Sequence, residues 1–530
     1  MSWKIVDADE TEVCRKYGVG KLTGKLIAAS SLDDEQIHEL LNPDFRLHTS
    51  HASCVLKCAD RILKAGERHE KVFIGGDYDA DGICSTAIMK RTLDVLGIEN
   101  GFYIPDRFKE GYGLSAATVE LAAQKNYSLI ITVDNGVKAH EALRRAAELG
   151  IEVIVTDHHK IDEEIECSLV VHPDYMEADY AFLSGAGVAL QISRTLIGER
   201  DDLTVYAAAA AVGDVMPLWR ETRRIVQAGM NLLKQGIPRQ FAVLLTPGST
   251  VDENTFAFNI VPKLNSVARM NDISNVNNVV RYLLLSDERN ILRFAQQLNT
   301  VNDARKELSE KETAKAMELV DDSGFLVLYD ESFHEGICGL AAGRVASKYR
   351  RPVLVMARSN DLLKGSGRSV PGFDLFSFFS DFEETTAFGG HEQAVGLSIK
   401  AADYIKFRNH IMQKFGAAGF IYSEPERTAV RAEISDMNFD TLADLERLSP
   451  YPKEMTEPNF AISGSSAQIA RTSLKMTKYS LSGGNVEFNA VLYSSRGIEA
   501  LKHPDTLIGR PGLNRYRGRV SAQMILEDMY

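Results

Sequence analysis

Short apolar runs alternate with amphipathic stretches between residue 71 and about residue 160. The apolar runs have the length of buried strands, and they read "KVFIGG", "GFYIPD", "YSLIITVD" and "IEVIVTD". The stretches between them carry apolar residues at helical spacing and read "GICSTAIMKRTLDVLG", "SAATVELAAQKN" and "HEALRRAAELG". Strands that are separated by amphipathic helices predict a doubly wound parallel sheet.

The pattern changes on both sides of this region. A second alternation of strands and helices begins at "FLVLYD", and the last hundred residues contain short strands interrupted by Pro, Gly and Ser, which is typical of a small all-β barrel. The predicted segments are a helical N-terminal lead-in (1–70), a doubly wound α/β domain (71–220), a helical region with a long connector helix (221–322), a second α/β domain (323–420) and the barrel (421–530).

Composition narrows the class of protein. The length of 530 residues suffices for about three to four domains, and 45% hydrophobic with 25% charged residues is ordinary for a globular protein. No apolar run reaches the roughly 18 residues of a membrane span. Six scattered cysteines indicate reduced thiols, and we expect a cytoplasmic protein. A net charge of −13 disfavours nonspecific coating of duplex DNA but allows a local basic groove.

Acidic residues and histidines follow the predicted strands of the first α/β domain. They are Asp77 and Asp79 after the first strand, Asp134 after the third, and Asp157, His158 and His159 after the fourth. A further acid, Asp214, follows the small-residue run "YAAAAAVG". Because ligands bind outside the carboxyl ends of the strands in such sheets, we expect these groups to converge.

Converging carboxylates repel one another unless cations lie among them. A mixture of carboxylate and imidazole suits Mn²⁺ better than Ca²⁺, and Mg²⁺ also fits. Two ions about 3.5–4 Å apart bridge a phosphate in phosphoryl-transfer enzymes. His158 is then the predicted ligand, and His159 remains to meet the phosphate or its leaving group.

Each of these residues also has a plainer interpretation. An Asp at a strand-to-helix turn commonly caps the helix, and Asp81 is interpreted in this way or as a turn residue. Asp134 precedes Asn-Gly, which is more often a turn than a site. The four motifs together, each at the end of an element, favour a metal site over coincidence.

The motifs resemble those of the DHH phosphoesterase superfamily, and more closely those of the RecJ-type single-strand exonucleases. The four motifs are "GGDYDADGICSTAIM", "ITVDNGV", "VTDHHK" and "AVGDVMPL". The second α/β domain is similar to the associated DHHA1 domain through "LLKGSGRS" and "AFGGHEQAVGLS", and the barrel stands where RecJ proteins carry an OB-fold.

The resemblance implies a role for each site residue. Asp77 would hold one ion and Asp79 the other, Asp134 would bridge them, and His158 with Asp214 would complete the shell of the second ion. Asp157 would orient the histidines from behind, and His159 would face the scissile phosphate. Asp134, Asp157 and His159 are therefore the expected catalytic residues.

The resemblance also implies contacts with substrate. The expected phosphate-binding residues are Arg107, Arg269, Ser366, Gly367, Arg368 and His391. Backbone amides of the "GSGRS" loop would cradle a phosphate, although the glycines can equally stabilise the loop and His391 can be structural. The barrel offers Tyr479, Phe488, Tyr493 and Tyr516 beside Arg517 and Arg519 for single-strand binding, although aromatic residues in a small barrel often form its core.

The activity that the resemblance implies is metal-dependent removal of nucleotides from single-stranded DNA, in the 5′ to 3′ direction, during recombination and repair. The implied partners are single-stranded DNA and either a single-strand-binding protein or a helicase, with the chain acting as a monomer. Two alternatives remain. Relatives with the same two α/β domains hydrolyse short oligonucleotides or cyclic dinucleotides, and some RecJ relatives are replication scaffolds without activity.

Overall fold

The computed structural model describes residues 2–42, 46–108, 110–246, 251–483, 486–494, 497–516 and 519–530, so Arg517 lies outside the described residues. The strands are β1 (Trp3–Val6), β2 (Val72–Gly75), β3 (Asn100–Tyr103), β4 (Leu129–Val133), β5 (Glu152–Thr156), β6 (Leu169–Val171), β7 (Leu326–Tyr329), β8 (Val353–Ser359), β9 (Leu362–Arg368), β10 (Thr385–His391), β11 (Ala394–Lys400), β12 (Arg427–Arg431), β13 (Phe460–Ser463), β14 (Gln468–Thr472), β15 (Met476–Gly483), β16 (Val486–Tyr493), β17 (Thr506–Tyr516) and β18 (Arg519–Met529).

Helices connect and cover these strands. They are α1 (Thr11–Tyr17), α2 (Lys21–Ala28), α3 (Asp34–Leu41), α4 (Ser53–Glu67), α5 (Ala80–Val95), α6 (Ala116–Gln124), α7 (His140–Glu148), α8 (Gly185–Ile197), α9 (Asp201–Gly213), α10 (Arg220–Lys234), α11 (Arg239–Ala242), α12 (Val261–Arg269), α13 (Asn277–Leu283), α14 (Glu288–Glu318), α15 (Cys338–Tyr349), α16 (Leu375–Phe379), α17 (Tyr404–Ala418) and α18 (Phe439–Glu446). None of these described helices is both long and apolar enough to cross a membrane.

The first α/β domain contains a parallel five-stranded sheet in the order β3-β2-β4-β5-β6. Successive residues of a strand point to opposite faces, so Ile74 and Ile131 pack with α5 and α8, whereas Phe73 and Ile130 pack with α6 and α7. Both faces are therefore buried, which explains why the strands are apolar throughout. The doubly wound sheet predicted from the sequence is confirmed.

A single 31-residue helix, α14, leads from the helical region into the second α/β domain. That domain has a five-stranded mixed sheet in the order β10-β11-β9-β8-β7, in which β7 and β8 are parallel and the other pairs are antiparallel. Strand β9 is paired on both sides, with β8 and β11. Because successive side chains of a strand point to opposite faces, those at positions 366 and 368 share one face of the sheet.

The C-terminal domain is an eight-stranded sheet in the order β1-β12-β13-β17-β18-β16-β15-β14. Tyr479 and Phe488 are core residues of this domain, with 0% and 1% exposure, so they are not available for stacking on bases. Tyr493 and Arg519 remain exposed. The core therefore takes two of the aromatic residues that the sequence offers for single-strand binding.

The N-terminal 70 residues are not one helical unit, which corrects the prediction. Strand β1 pairs in parallel with β12 and joins the C-terminal sheet. Helices α2 and α3 bury Leu22 and Leu40 in the same C-terminal core, whereas α4 buries Val55 and Ile62 in the core of the first α/β domain. The sequence could not indicate this division, because the partners of a four-residue strand lie more than 400 residues away.

Helix α14 carries a carboxyl group that we expect to make stability depend on pH. Glu312 is buried, its Oε1 accepts a hydrogen bond from the amide of His334, and its Oε2 has no partner. Burial raises the pKa of Glu312 to about 7. Because the folded chain holds this proton more tightly than the unfolded chain, the free energy of unfolding falls as pH rises from about 4.5 to about 7.

The Glu312→Gln variant should match the wild-type protein at pH 5 and be more stable at pH 8, by roughly 3 kcal/mol at most. The measurement is the urea midpoint at both pH values, with Glu310→Gln on the exposed side of the same helix as the control. An equal effect of Glu312→Gln at both pH values would contradict the prediction.

Candidate metal centre and substrate cavity

The carboxyl ends of three neighbouring strands bring the acidic motifs together. In the sheet, Gly75 at the end of β2 is paired with Thr132 of β4, and Val133 of β4 is paired with Thr156 of β5. Asp77, Asp134 and Asp157 follow these ends within two residues and are each only 1% exposed. The parallel sheet thus places the acids of three separate motifs along one edge.

The turn after β2 uses its acids in two ways. Asp79 is the N-cap of α5, and its Oδ1 accepts hydrogen bonds from the amides of Asp81 and Gly82 at 3.0 and 3.1 Å. Asp81 does not cap α5. Its carboxylate accepts the hydroxyl of Ser184 and the amides of Gly185 and Ala186, and so it caps α8 from outside.

Asp134 has an uncommon backbone conformation, with φ at 61°. Asn and Asp tolerate this left-handed region better than most residues with a side chain. Helix α8 begins directly against Asp134, and a Cβ on Gly185 would lie 2.6 Å from the Asp134 Cβ. A glycine is therefore needed here for the helix to approach the metal centre.

The turn after β5 is built around the carboxylate of Asp157. Its Oδ2 accepts the amide of Val137, and its Oδ1 accepts the amides of His158 and His159. The same Oδ1 lies 2.8 Å from Nδ1 of His159. Asp157 thus fixes both histidines from behind, in the position expected from the sequence.

Three carboxylates surround the imidazole of His158. Its Nε2 lies 3.1 Å from Oδ1 of Asp134 and 3.5 Å from an Oδ2 of both Asp81 and Asp214. None of these contacts has hydrogen-bond geometry, and both carboxylate oxygens of Asp77 also lack a partner. Buried polar atoms without partners are rare in folded proteins, and here they point at one another.

These orphaned atoms fit divalent cations. Among the described residues, three sets of three side chains each bring one ligand atom per side chain to within 4.8 Å of the other two. They are Asp77 with Asp79 and Asp134, Asp81 with His158 and Asp214, and Asp134 with His158 and His159. Carboxylate and imidazole donors in these numbers suit Mn²⁺ or Mg²⁺. The sequence-predicted ligands all lie in this cluster.

The pKa values of the acids around the metal centre are raised, whereas that of Asp157 is lowered. Burial and neighbouring carboxylates raise the pKa of Asp77 and of Asp134 well above the usual range, and raise the pKa of Asp214 to about 7. The pKa of Asp157 is lowered, because hydrogen bonds from His159 and the backbone outweigh burial. The carboxylates around the metal centre therefore lack a cation to neutralise them, whereas the carboxylate of Asp157 is already paired with His159.

The two neighbouring histidines have pKa values shifted in opposite directions. Burial lowers the pKa of His158. Burial also acts on His159, but the hydrogen bond that it donates to Asp157 and the nearby carboxylates outweigh burial and raise its pKa to about 9. The side chain of His159 is 35% exposed, against 7% for His158, and it borders the large cavity next to the centre.

A cavity of about 910 Å³ extends from the metal centre towards the second α/β domain. The predicted substrate residues that line it are Arg107, Arg269, Ser366, Arg368 and His391. Its walls also carry four aromatic side chains, which are Tyr78, Phe108, Tyr112 and Phe388. The cavity thus combines cations with rings, which is the composition of single-strand sites.

Three arginines give the cavity a positive wall. The guanidinium of Arg107 lies 4.8 Å from the centre of the Tyr78 ring, and Nη1 of Arg269 donates to the carbonyl of Gly336. Burial and the charges of Arg107 and Arg368 lower the pKa of Arg269 to about 9. Cations that depress one another's pKa are stabilised by an anionic ligand.

The predicted phosphate cradle of backbone amides is wrong. Residues 365–368 lie in β9, whose backbone is paired with both β8 and β11, so its amides are used in the sheet. Gly367 points away from the cavity, and a Cβ there would lie 2.8 Å from a methyl of Val395. The side chains of Ser366 and Arg368 face the cavity instead, and Arg368 donates to the Ser366 hydroxyl.

Sequence reasoning missed two residues of the site. The hydroxyl of Tyr112 donates to the carbonyl of Asp134 and lies 3.3 Å from Nδ1 of His159, although no role was predicted for it. Asp81 was interpreted as a local cap or turn, but it lies within the metal cluster. Tyr112 lies outside the four motifs, and nothing in the sequence distinguished Asp81 from the other acids of its motif.

Comparisons with known proteins agree with this geometry. The family model described as the DHH family N-terminal domain matches residues 71–213. The DHHA1 domain matches residues 322–417, and the RecJ OB domain matches residues 429–528. The three matches follow the order of the three sheets along the chain.

The curated relatives include proteins named single-stranded-DNA-specific exonuclease RecJ. That of Bacillus subtilis (strain 168) is 28% identical and is aligned over 100% of this chain and 70% of its own length. That of Escherichia coli (strain K12) is 28% identical, with 90% of each chain covered. That of Thermus thermophilus is 30% identical, with 78% of this chain and 61% of the relative covered.

Solved structures of RecJ proteins are similar to this chain in fold. RecJ in complex with Mn²⁺ from Thermus thermophilus superimposes with a TM-score of 0.83 at 24% identity, covering 100% of this chain and 79% of that one, and so shares the fold. An exonuclease RecJ bound to manganese has a TM-score of 0.63 at 28% identity, covering 71% of this chain and 97% of that one.

Proposed function

Because this chain belongs to the RecJ family of the DHH/DHHA1 phosphoesterases, we propose that it is a metal-dependent exonuclease that hydrolyses single-stranded DNA. One observation carries the proposal. Buried carboxylate oxygens of Asp77 and Asp134 and Nε2 of His158 have no hydrogen-bond partner and lie together beside a cavity lined by arginines. Bound cations would satisfy these orphaned atoms, and a phosphate in the cavity would pair with the arginines.

The residues that would hold the metal ions are Asp77, Asp79, Asp134, His158 and Asp214, with Asp134 in the bridging position. Bound Mn²⁺ or Mg²⁺ supplies a hydroxide nucleophile at neutral pH and stabilises the charge that develops on the phosphate. Asp81 adds negative charge to the cluster, but four donors from α5 and the start of α8 already share its carboxylate. We therefore assign Asp81 a positioning role for α8 and His158.

The other residues bind and orient the strand. His159, held through its Nδ1 by Asp157, presents its ring to the cavity, where it can contact the scissile phosphate or protonate the leaving oxygen. Arg107, Arg269 and Arg368 would bind backbone phosphate, and Tyr78, Tyr112 and the other rings would stack on bases. Stacking of this kind requires bases that are not paired, which favours a single strand over a duplex.

We infer that the arginine wall binds the 5′ end of the strand, since Arg368 enters the cavity from the second α/β domain, whereas the metal cluster belongs to the first. The Arg368→Gln variant should then lower kcat/KM for 5′-phosphorylated strands by about 10- to 100-fold, the value of one lost charge-assisted contact. Strands with a 5′ hydroxyl should lose much less. The measurement is kcat/KM on both strands, with Arg358→Gln on the neighbouring strand β8, an exposed arginine, as the control.

The test of the function uses a single strand labelled separately at each end, with Mn²⁺ or Mg²⁺. Early release of the 5′ label as a mononucleotide supports a 5′ to 3′ exonuclease, and early release of the 3′ label reverses the polarity. If long strands survive while cyclic dinucleotides or very short oligonucleotides are consumed, the substrate class is wrong. Binding of the strand without any cleavage would indicate a scaffold.

Six free cysteines among the described residues are consistent with a reducing compartment, and we propose that the enzyme acts in the cytoplasm. We also propose that it acts as a monomer on strands supplied by a helicase or covered by a single-strand-binding protein. Support for the monomer is that all the residues of the proposed site come from one chain. Sedimentation of the metal-loaded protein tests this, because a dimer would sediment at twice the mass.

A further inference from the structure

A second and smaller cavity lies directly behind the wall of the large one. Its volume is about 380 Å³, which is within the range of small-molecule sites. Arg107 and Tyr78 border both cavities. The guanidinium of Arg107 packs on the ring of Tyr78 at 4.8 Å, so this pair is a shared partition between the two spaces.

The lining of the smaller cavity combines charged, aromatic and neutral polar groups. Tyr78 and Tyr103 contribute aromatic side chains next to Arg107. The turn after α12 contributes the amide and hydroxyl groups of Asn271 and Ser274. The carboxylate of Asp106 also lines the cavity, but it already accepts a hydrogen bond from the amide of Asn271. The remaining cation, two aromatic rings and neutral hydrogen-bonding groups are what a nucleoside monophosphate requires for its phosphate, its base and the polar edges of base and sugar.

The walls of this cavity are fixed by hydrogen bonds that do not involve a ligand. Nδ2 of Asn271 lies 3.0 Å from each carboxylate oxygen of Asp106, which fixes the orientation of the amide. The side chain of Asn277 bonds both the amide and the carbonyl of Ile104, and the hydroxyl of Tyr103 donates to Glu110. A cavity with walls fixed in this way can bind a ligand without the cost of ordering them.

We propose that this cavity binds a deoxynucleoside 5′-monophosphate, the product released from the 5′ end of the strand. The proposal rests on the exonuclease function proposed above. Arg107 can contact a phosphate from either side of the partition, so it links the cavity where cleavage occurs to the one that receives the product. The smaller volume suits one nucleotide, whereas a strand must continue beyond its first nucleotide.

The experiment is a calorimetric titration of the full chain with deoxyadenosine 5′-monophosphate, with Mn²⁺ and without it. The Ser274→Leu variant places a larger apolar side chain in the cavity, and we expect it to raise the Kd at least tenfold under both conditions. Ser380→Leu, at an exposed position of the second α/β domain, is the matched control and should leave the Kd unchanged. Cleavage of the first nucleotide in a single turnover should be the same in both variants, which shows that Ser274→Leu is folded.

Two results would overturn the proposal. One is an unchanged Kd in a Ser274→Leu variant that still cleaves in a single turnover. The other is loss of mononucleotide binding when the protein is saturated with a phosphorothioate strand that resists cleavage, because the cavity would then hold the terminal nucleotide of the strand. A third result would separate the two proposals. If the protein binds the mononucleotide and Ser274→Leu weakens that binding, but no strand is cleaved, the exonuclease function is refuted and the mononucleotide site is retained.

Discussion

The Asp134→Asn variant is expected to lower kcat on single-stranded DNA by on the order of 10³-fold, because it removes a charge that would bridge both metal ions. Asparagine is the suitable replacement at this position. It has the same shape, and it tolerates the φ of 61° that alanine would adopt only with strain. The measurements are kcat under saturating Mn²⁺ and the stoichiometry of Mn²⁺ binding by calorimetry.

The same variant should be more stable than the wild-type protein when metal is absent. Burial and the charges of Asp81 and Asp79 raise the pKa of Asp134, which means that its ionised form is unfavourable in the metal-free fold. An amide relieves this repulsion, so the metal-free variant should melt a few degrees higher. Loss of activity together with a gain in stability cannot be explained by misfolding.

Asp162→Asn is the matched control, since Asp162 is an exposed acid in the segment after the neighbouring strand β5 and forms an ion pair with Lys160. It should leave both kcat and the melting temperature unchanged. If Asp134→Asn retained activity within tenfold, Asp134 would not be a bridging ligand. A lower melting temperature of the metal-free variant would contradict the electrostatic argument instead.

The second large effect is expected from His159→Asn. Loss of a group that contacts the reacting phosphate or donates a proton costs about 10²- to 10⁴-fold in rate. The affinity for Mn²⁺ should stay within about threefold of the wild-type value, because the proposed ligand is His158 and His159 is fixed by Asp157. Single-turnover cleavage and Mn²⁺ titration measure the two quantities separately.

His140→Asn, at a partly exposed position on α7, controls for the loss of a histidine. The geometry also allows a different result, since a ligand atom of His159 lies within 4.8 Å of one from Asp134 and one from His158. If Mn²⁺ affinity in His159→Asn fell as far as in Asp134→Asn, His159 would be a metal ligand. The proposed division of roles between the two histidines would then be wrong.

Much of the site followed from the sequence because its geometry is a property of parallel sheets. The carboxyl ends of parallel strands lie along one edge of the sheet, so the sequence predicts that Asp77, Asp134 and Asp157 lie near one another. The strand order, which makes β2, β4 and β5 neighbours, is seen only in the structure. The contacts of the Asp157 carboxylate with His158 and His159 are local as well, since these residues follow it directly, whereas its contact with Val137 joins two strand ends.

Contacts between distant segments could not be predicted in this way. Asp81 caps a helix that begins about a hundred residues later, and the Tyr112 hydroxyl reaches a carbonyl beyond the next strand. The "GSGRS" segment was interpreted as a loop because glycines are rare in strands. In the structure its glycines pack under Leu354 and Val395, and only the tertiary neighbours explain a strand there.

The pairing of β1 with β12 sets an order for the synthesis of the chain. The indole of Trp3 donates to Asp528 and packs against Arg427, so β1 is completed by residues more than 400 positions later in the chain. At 5–20 residues per second, β1 waits roughly 20 to 80 s on the ribosome before β12 follows it. The two α/β domains can fold during that interval, whereas the C-terminal domain can close only after strands β12 to β18 have been made.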